Sequence, residues 1–115
     1  MVVEWWYLAA MATNIDPIMS RFHAALDKIF GEQVERVVLF GSRSHGDARP
    51  DSDYDVAIFL RDPIGFGEEM RKIAEIESDI LHDTGAVINA LPLHADIYRE
   101  PRGLIQELQR EGLHL

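Results

Sequence analysis

The sequence predicts a small α/β domain: a mixed three-stranded sheet packed with helices. Two β-branched, apolar runs, Val34 to Phe40 and Tyr54 to Leu60, bracket a stretch of small and polar residues. Segments with apolar residues at helical spacing lie before and after that pair. The 115 residues, 47% hydrophobic and 27% charged, are enough for one core and too few for two.

The elements follow in chain order. Asp16-Pro17 reads as an N-cap followed by proline at the first helical position. Ile18, Met19, Phe22, Leu26, Ile29 and Phe30 then recur at helical spacing until Gly31 stops the helix. Val34 to Phe40 reads as a buried strand. Gly41 to Ser52 reads as a loop with one helical turn after Ser42. Tyr54 to Leu60 is the second strand, ended by Asp62-Pro63. Phe66, Met70, Ile73, Ile76, Ile80 and Leu81 outline a long helix that Gly85 closes. Ala86 to Leu93 is the third strand, and Leu104, Ile105 and Leu108 mark a last helix ended by Gly112. Residues 1–13 read as an N-terminal arm without fixed structure, as a docking arm carrying Trp5, Trp6 and Tyr7, or as an over-long start upstream of Met11, and 14–115 as the domain proper.

Composition narrows the function. The formal net charge is −9, which argues against direct nucleic-acid binding, because phosphate contacts need a basic surface. The same charge suits a basic protein partner. There is no cysteine, hence no disulfide and no thiolate metal site. The apolar start MVVEWWYLAAM lacks a basic leader region and is too short to span a bilayer, so no membrane association and a cytoplasmic location are expected.

The chemistry concentrates in GSRSHGDARPDSDYD. Asp53 and Asp55 sit two residues apart at the head of a strand, so both carboxylates leave the same face, with Cα atoms ~6–7 Å apart. Both are ionised at neutral pH, and paired like charges call for a hard cation bound through oxygen, of which Mg²⁺ is the natural choice. Gly41 after a buried strand lets backbone approach a ligand, and Ser42 with the following N–H groups can take phosphate oxygens. Arg43 and Arg49 are the local positive charges for a triphosphate. His45 is more often an exposed loop residue than a contact. Gly-Ser or Asp-x-Asp alone is weak evidence; the fixed spacing between two strands is more specific.

Gly41-Ser42, ten residues, then Asp53-Tyr54-Asp55 resembles the signature of the DNA polymerase beta-like nucleotidyltransferase superfamily, and the element order is similar from about Asn14 onward. The small size resembles the minimal nucleotidyltransferases, commonly encoded beside a HEPN-domain protein. The resemblance implies the palm-like nucleotidyltransferase fold. It also implies Mg²⁺-dependent transfer of NMP, with ATP as substrate and AMP transferred, to a HEPN toxin partner that the protein silences as an antitoxin. In that scheme Asp53 and Asp55 are catalytic and hold the metal, while Gly41, Ser42 and Arg43 hold the nucleotide. A homo- or hetero-oligomer is compatible with it.

One position departs from the family pattern. A third carboxylate is expected on the next core strand, yet Ala86 to Leu93 carries no acid. Asn89 is the polar residue placed to substitute, with a carbonyl oxygen able to ligate but no charge. Asp96 falls beyond the strand, and Asp79 and Asp83 fall on or after a helix. The departure implies slow turnover, since a positioned base typically contributes about 10²- to 10⁴-fold. It also keeps open a second reading, a module that neutralises its partner by docking. A third reading, transfer to a small acceptor as in aminoglycoside nucleotidyltransferases, is weaker because those enzymes carry a further substrate-binding domain.

Overall fold

The computed structural model describes residues 17–41, 53–61, 65–100 and 102–115. The N-terminal arm, the Asp16 cap and the helical turn expected after Ser42 lie outside the described residues. Helix α1 (Pro17–Phe30) buries Met19, Phe22, Leu26 and Phe30, a single stripe at three- and four-residue spacing. Ile29 lies off that stripe and is 42% exposed, although its apolar character fits the same period. Gly31 takes the left-handed conformation, φ +54°, and a 3₁₀ turn (Gly31–Gln33) leads into β1 (Val34–Phe40).

Strand β1 pairs antiparallel with β2 (Tyr54–Leu60). The register slips by one residue between Val34 and Arg36 and leaves Glu35 bulged. Its carboxylate takes Arg99 at 2.8 Å and Arg61 at 3.7 Å. Helix α2 (Phe66–Thr84) then crosses over to β3 (Ile88–His94), which lies parallel to β2. At the start of α2 the buried Glu69 accepts a hydrogen bond from the Gly65 N–H. A carboxylate there also suits the positive end of the helix dipole. The Gly85 N–H bonds to the Leu81 carbonyl with φ +80° and closes the helix.

Two features were not legible in the sequence pattern. A short helix α3 (Ala95–Tyr98) follows β3 directly. After α4 (Leu104–Glu111), a two-residue strand β4 (Leu113–His114) pairs antiparallel with β1 and extends the three-stranded mixed sheet, giving the order β3-β2-β1-β4. The last strand is too short to show a period, so only pairing reveals it.

The sheet is covered on both sides. On one face α1 and α2 pack over Val37, Leu39, Val56, Ile58, Leu60 and Ile88. On the other, Ile105 and Leu108 of α4, joined by Tyr98 of α3, cover Val38, Ala57 and Phe59. Strand β2 is therefore buried on both faces from Val56 to Leu60, which explains its unbroken apolar run. Around Tyr98, Phe59 makes an edge-to-face contact at 5.0 Å and the Arg36 guanidinium lies 4.1 Å above the ring. His114 sits beside Arg36 and Tyr98, and desolvation, with the Arg36 charge, lowers its pKa below the ordinary histidine value.

Strand β3 forms one edge of the sheet. The Tyr54 N–H bonds to the Val87 carbonyl, so alternate residues from Val87 face β2 and those from Ile88 face outward. Of the outward positions, the Ala90 N–H is taken by Glu77 Oε2 at 3.1 Å and Pro92 has no N–H to offer. Both arrangements discourage another strand from adding here. Half-burial raises the Glu77 pKa, and the Ala90 hydrogen bond only partly offsets this.

A raised folded-state pKa means Glu77 favours folding fully below its ordinary value of 4.5, and the benefit is lost as pH rises through the raised value. Glu77→Gln keeps an acceptor for Ala90 and removes the buried charge. It should stabilise the fold at pH 7, by less than about 1 kcal/mol because the group is partly solvated, and give no gain at pH 4. Glu77→Leu, which orphans the Ala90 N–H, should instead cost about 1–3 kcal/mol. Thermal melts of both variants at the two pH values check the assignment.

Candidate functional site

The face of β2 that carries Ala57 and Phe59 also carries Asp53 and Asp55, since alternate residues of a strand share a face. Cover thins along it: Phe59 and Ala57 are fully buried, Asp55 is half-buried and Asp53 is exposed. Among the described residues, the helices on this face cover Ala57 and Phe59 and do not cover Asp53. Neighbouring strands add to that end. In the antiparallel pair Phe40 lies opposite Asp55, which places Gly41, the next residue, at the site. In the parallel pair Asn89 lies opposite Asp55.

A side chain at Gly41 would meet two obstacles. The backbone φ is +77°, a left-handed conformation that a side chain disfavours. A Cβ at this position would also stand 2.6 Å from Asp55 Oδ2, so the space a side chain needs is filled by the carboxylate. The glycine inferred from the sequence to admit a ligand thus already admits Asp55.

Asn89 presents its amide in a way the sequence reading did not foresee. Its Nδ2 donates to Asp53 Oδ2 at 3.1 Å, whereas the expectation was a carbonyl oxygen turned toward a metal. The polarity follows from chemistry: an ionised carboxylate only accepts, so an amide beside it offers its N–H end. That rule, applied to an asparagine one strand away from two aspartates, was the available signal.

Asp53, Asp55, Gly41 and Asn89 are therefore brought together. Ser42 and Arg43, as well as His45, Gly46 and Arg49, lie outside the described residues. Asp79 is exposed on α2, Asp83 pairs with Arg21 at 2.6 Å across to α1, and Asp96 pairs with Arg99 on α3. None joins the site. Among the described residues no group of three or more His, Cys, Asp or Glu could hold a metal ion. Two carboxylates do fit a Mg²⁺ that draws its remaining oxygens from substrate phosphates and water. The donor set suits a cation shared with a nucleotide better than a cation held by protein alone.

The profile of the family described as Polymerase beta, Nucleotidyltransferase matches residues 25–112, a span that includes Gly41, Asp53, Asp55 and Asn89. The chain belongs to the polymerase beta nucleotidyltransferase family. Its fold is similar to the crystal structure of a candidate nucleotidyltransferase from Sulfolobus solfataricus, with a TM-score of 0.53 and 12% sequence identity. The likeness covers 92% of this chain and 85% of that one. No curated protein matches the sequence significantly. Among the described residues no helix is long and apolar enough to cross a membrane.

For this nucleotidyltransferase-family domain, Gly41→Ala should be costly in two separable ways. The left-handed backbone alone should cost about 1–2 kcal/mol of stability. Displacement of the Asp55 carboxylate should weaken binding of a Mg²⁺–nucleotide complex by more than stability predicts. Calorimetric titration at a temperature where the variant is fully folded separates the two, and unchanged nucleotide affinity would remove Gly41 from the site.

Proposed function

We propose that the protein is a Mg²⁺-dependent nucleotidyltransferase that moves AMP from ATP to a hydroxyl of a protein acceptor. The acceptor proposed is a HEPN-domain toxin that the transfer silences, so that the protein acts as an antitoxin. The observation that carries the catalytic part is the meeting of Asp53, Asp55 and Gly41 at one end of the sheet. Family membership supports the reaction class. The acidic charge of −9 supports a basic protein acceptor over a nucleic acid.

In this reading the acceptor hydroxyl oxygen attacks the α-phosphorus in line with the bond to the pyrophosphate. The new P–O bond forms as the old one breaks, pyrophosphate departs with its electron pair, and the hydroxyl proton passes to water. Asp53 and Asp55 would hold the cation, whose chemistry is to neutralise charge on the entering and leaving oxygens. Gly41 and Ser42 would seat the phosphates, with Arg43 as counter-charge, so the chain contributes mainly position and electrostatics. Asn89 provides no general base, which suits a slow modification that lasts once made.

The neutral Asn89 also favours one alternative, a nucleotidyltransferase fold that neutralises its partner by docking. Incubating the purified pair with ATP and Mg²⁺ and weighing the partner by mass spectrometry separates the two. An added mass of one or more AMP units supports transfer, and inhibition with no added mass supports docking. Asp55→Asn and Asp53→Asn should lower adduct formation by at least about 10²-fold with melting temperatures close to wild type, because partly exposed site carboxylates stabilise little. Adduct at the wild-type rate in both variants would remove the carboxylates from the chemistry.

A further inference from the structure

Asp53 and Asp55 project from one face of β2, and Asn89 stands opposite Asp55 while its Nδ2 lies 3.1 Å from Asp53 Oδ2. Two neighbouring negative charges are held in place by groups that donate to them. Among the described residues, the Asn89 N–H does this for Asp53. It thereby engages one of the four carboxylate oxygens.

We propose that Asn89 is a positioning residue that makes divalent-cation binding depend on the nucleotide. The proposal rests on the nucleotide-site reading above. Two carboxylates, one of them already engaged by an N–H donor, bind a free hard cation weakly. A triphosphate adds both negative charge and oxygen ligands, and together they outweigh the amide. Metal and nucleotide then enter as a unit, and in their absence Asn89 holds the first aspartate in its working orientation. An aspartate at the same position would do the reverse: it would attract the free cation and repel its neighbours when no cation is bound.

The test uses Mn²⁺ as a spectroscopic probe, with free ion counted by electron paramagnetic resonance, in the presence and absence of a non-hydrolysable ATP analogue. Wild type should bind Mn²⁺ weakly alone and markedly tighter with the analogue. Asn89→Asp should bind Mn²⁺ alone markedly tighter, because it puts a charged oxygen ligand in place of an N–H donor. The factor by which analogue and Mn²⁺ reinforce each other should shrink in this variant, measured from either ligand because the coupling is reciprocal. Asn89→Ala, which removes the donor without adding charge, should also shrink that coupling factor, and it keeps the test open should three carboxylates prevent folding. A merely structural asparagine would shift the melting temperature and leave the coupling unchanged. Equal Mn²⁺ affinity and equal coupling in all three proteins, with analogue binding intact, overturns the proposal alone. Analogue binding that is absent from wild type, or unaltered in Asp55→Asn, overturns the nucleotide-site reading and this proposal with it.

Discussion

Everything in this molecule turns on β2 being buried on both faces along most of its length, with a half-buried Asp55 near its start and an exposed Asp53 just before it. Val56, Ile58 and Leu60 face the two long helices, while Ala57 and Phe59 face α3 and α4, and all five are fully shielded from water. Burial on that scale pins the strand's register, since a slip of one residue would turn Asp55 into the helical core. The site is therefore held by hydrophobic packing several residues away. Two charged side chains emerge where the cover ends, at positions they cannot change without unpacking the core.

The same register governs the neighbours. Antiparallel pairing sets Phe40 opposite Asp55 and so delivers Gly41 against its carboxylate. Parallel pairing sets Asn89 opposite Asp55 and within reach of Asp53. The parallel pair exists only because α2 carries the chain back across the sheet, so the long helix is as necessary to the site as the strands. Many of the other charges form exposed ion pairs, such as Arg71 with Glu68 and Glu75 on α2, which contribute little to stability. At the sheet's end, among the described residues, Asp53 is met by the amide of Asn89.

Similarity to the Sulfolobus solfataricus structure at 12% identity fits this division of labour. A core that needs apolar residues at set periods accepts many sequences, because volume and pattern matter more than identity. The turn at Gly41 is more restricted, since its left-handed backbone disfavours a side chain.

The sequence by itself determined the strands and helices whose period is long enough to register. Strand β2 occupies the expected residues, Tyr54–Leu60, and α1 ends at Gly31, where a left-handed residue was needed. It also brought out the pairing of Asp53 with Asp55, because alternation along a strand is a local rule. The third strand begins at Ile88, two residues after the expected Ala86, since its start is set by where β2 offers partners and not by apolar character. Helix α3 and strand β4 were decided by tertiary structure alone, since a helix of four residues and a strand of two carry too few positions to show a period. Asn89 stands beside the aspartates, where the sequence had placed it on the third strand. That its amide donates to Asp53 depends on the parallel register that brings two residues 36 apart in sequence together.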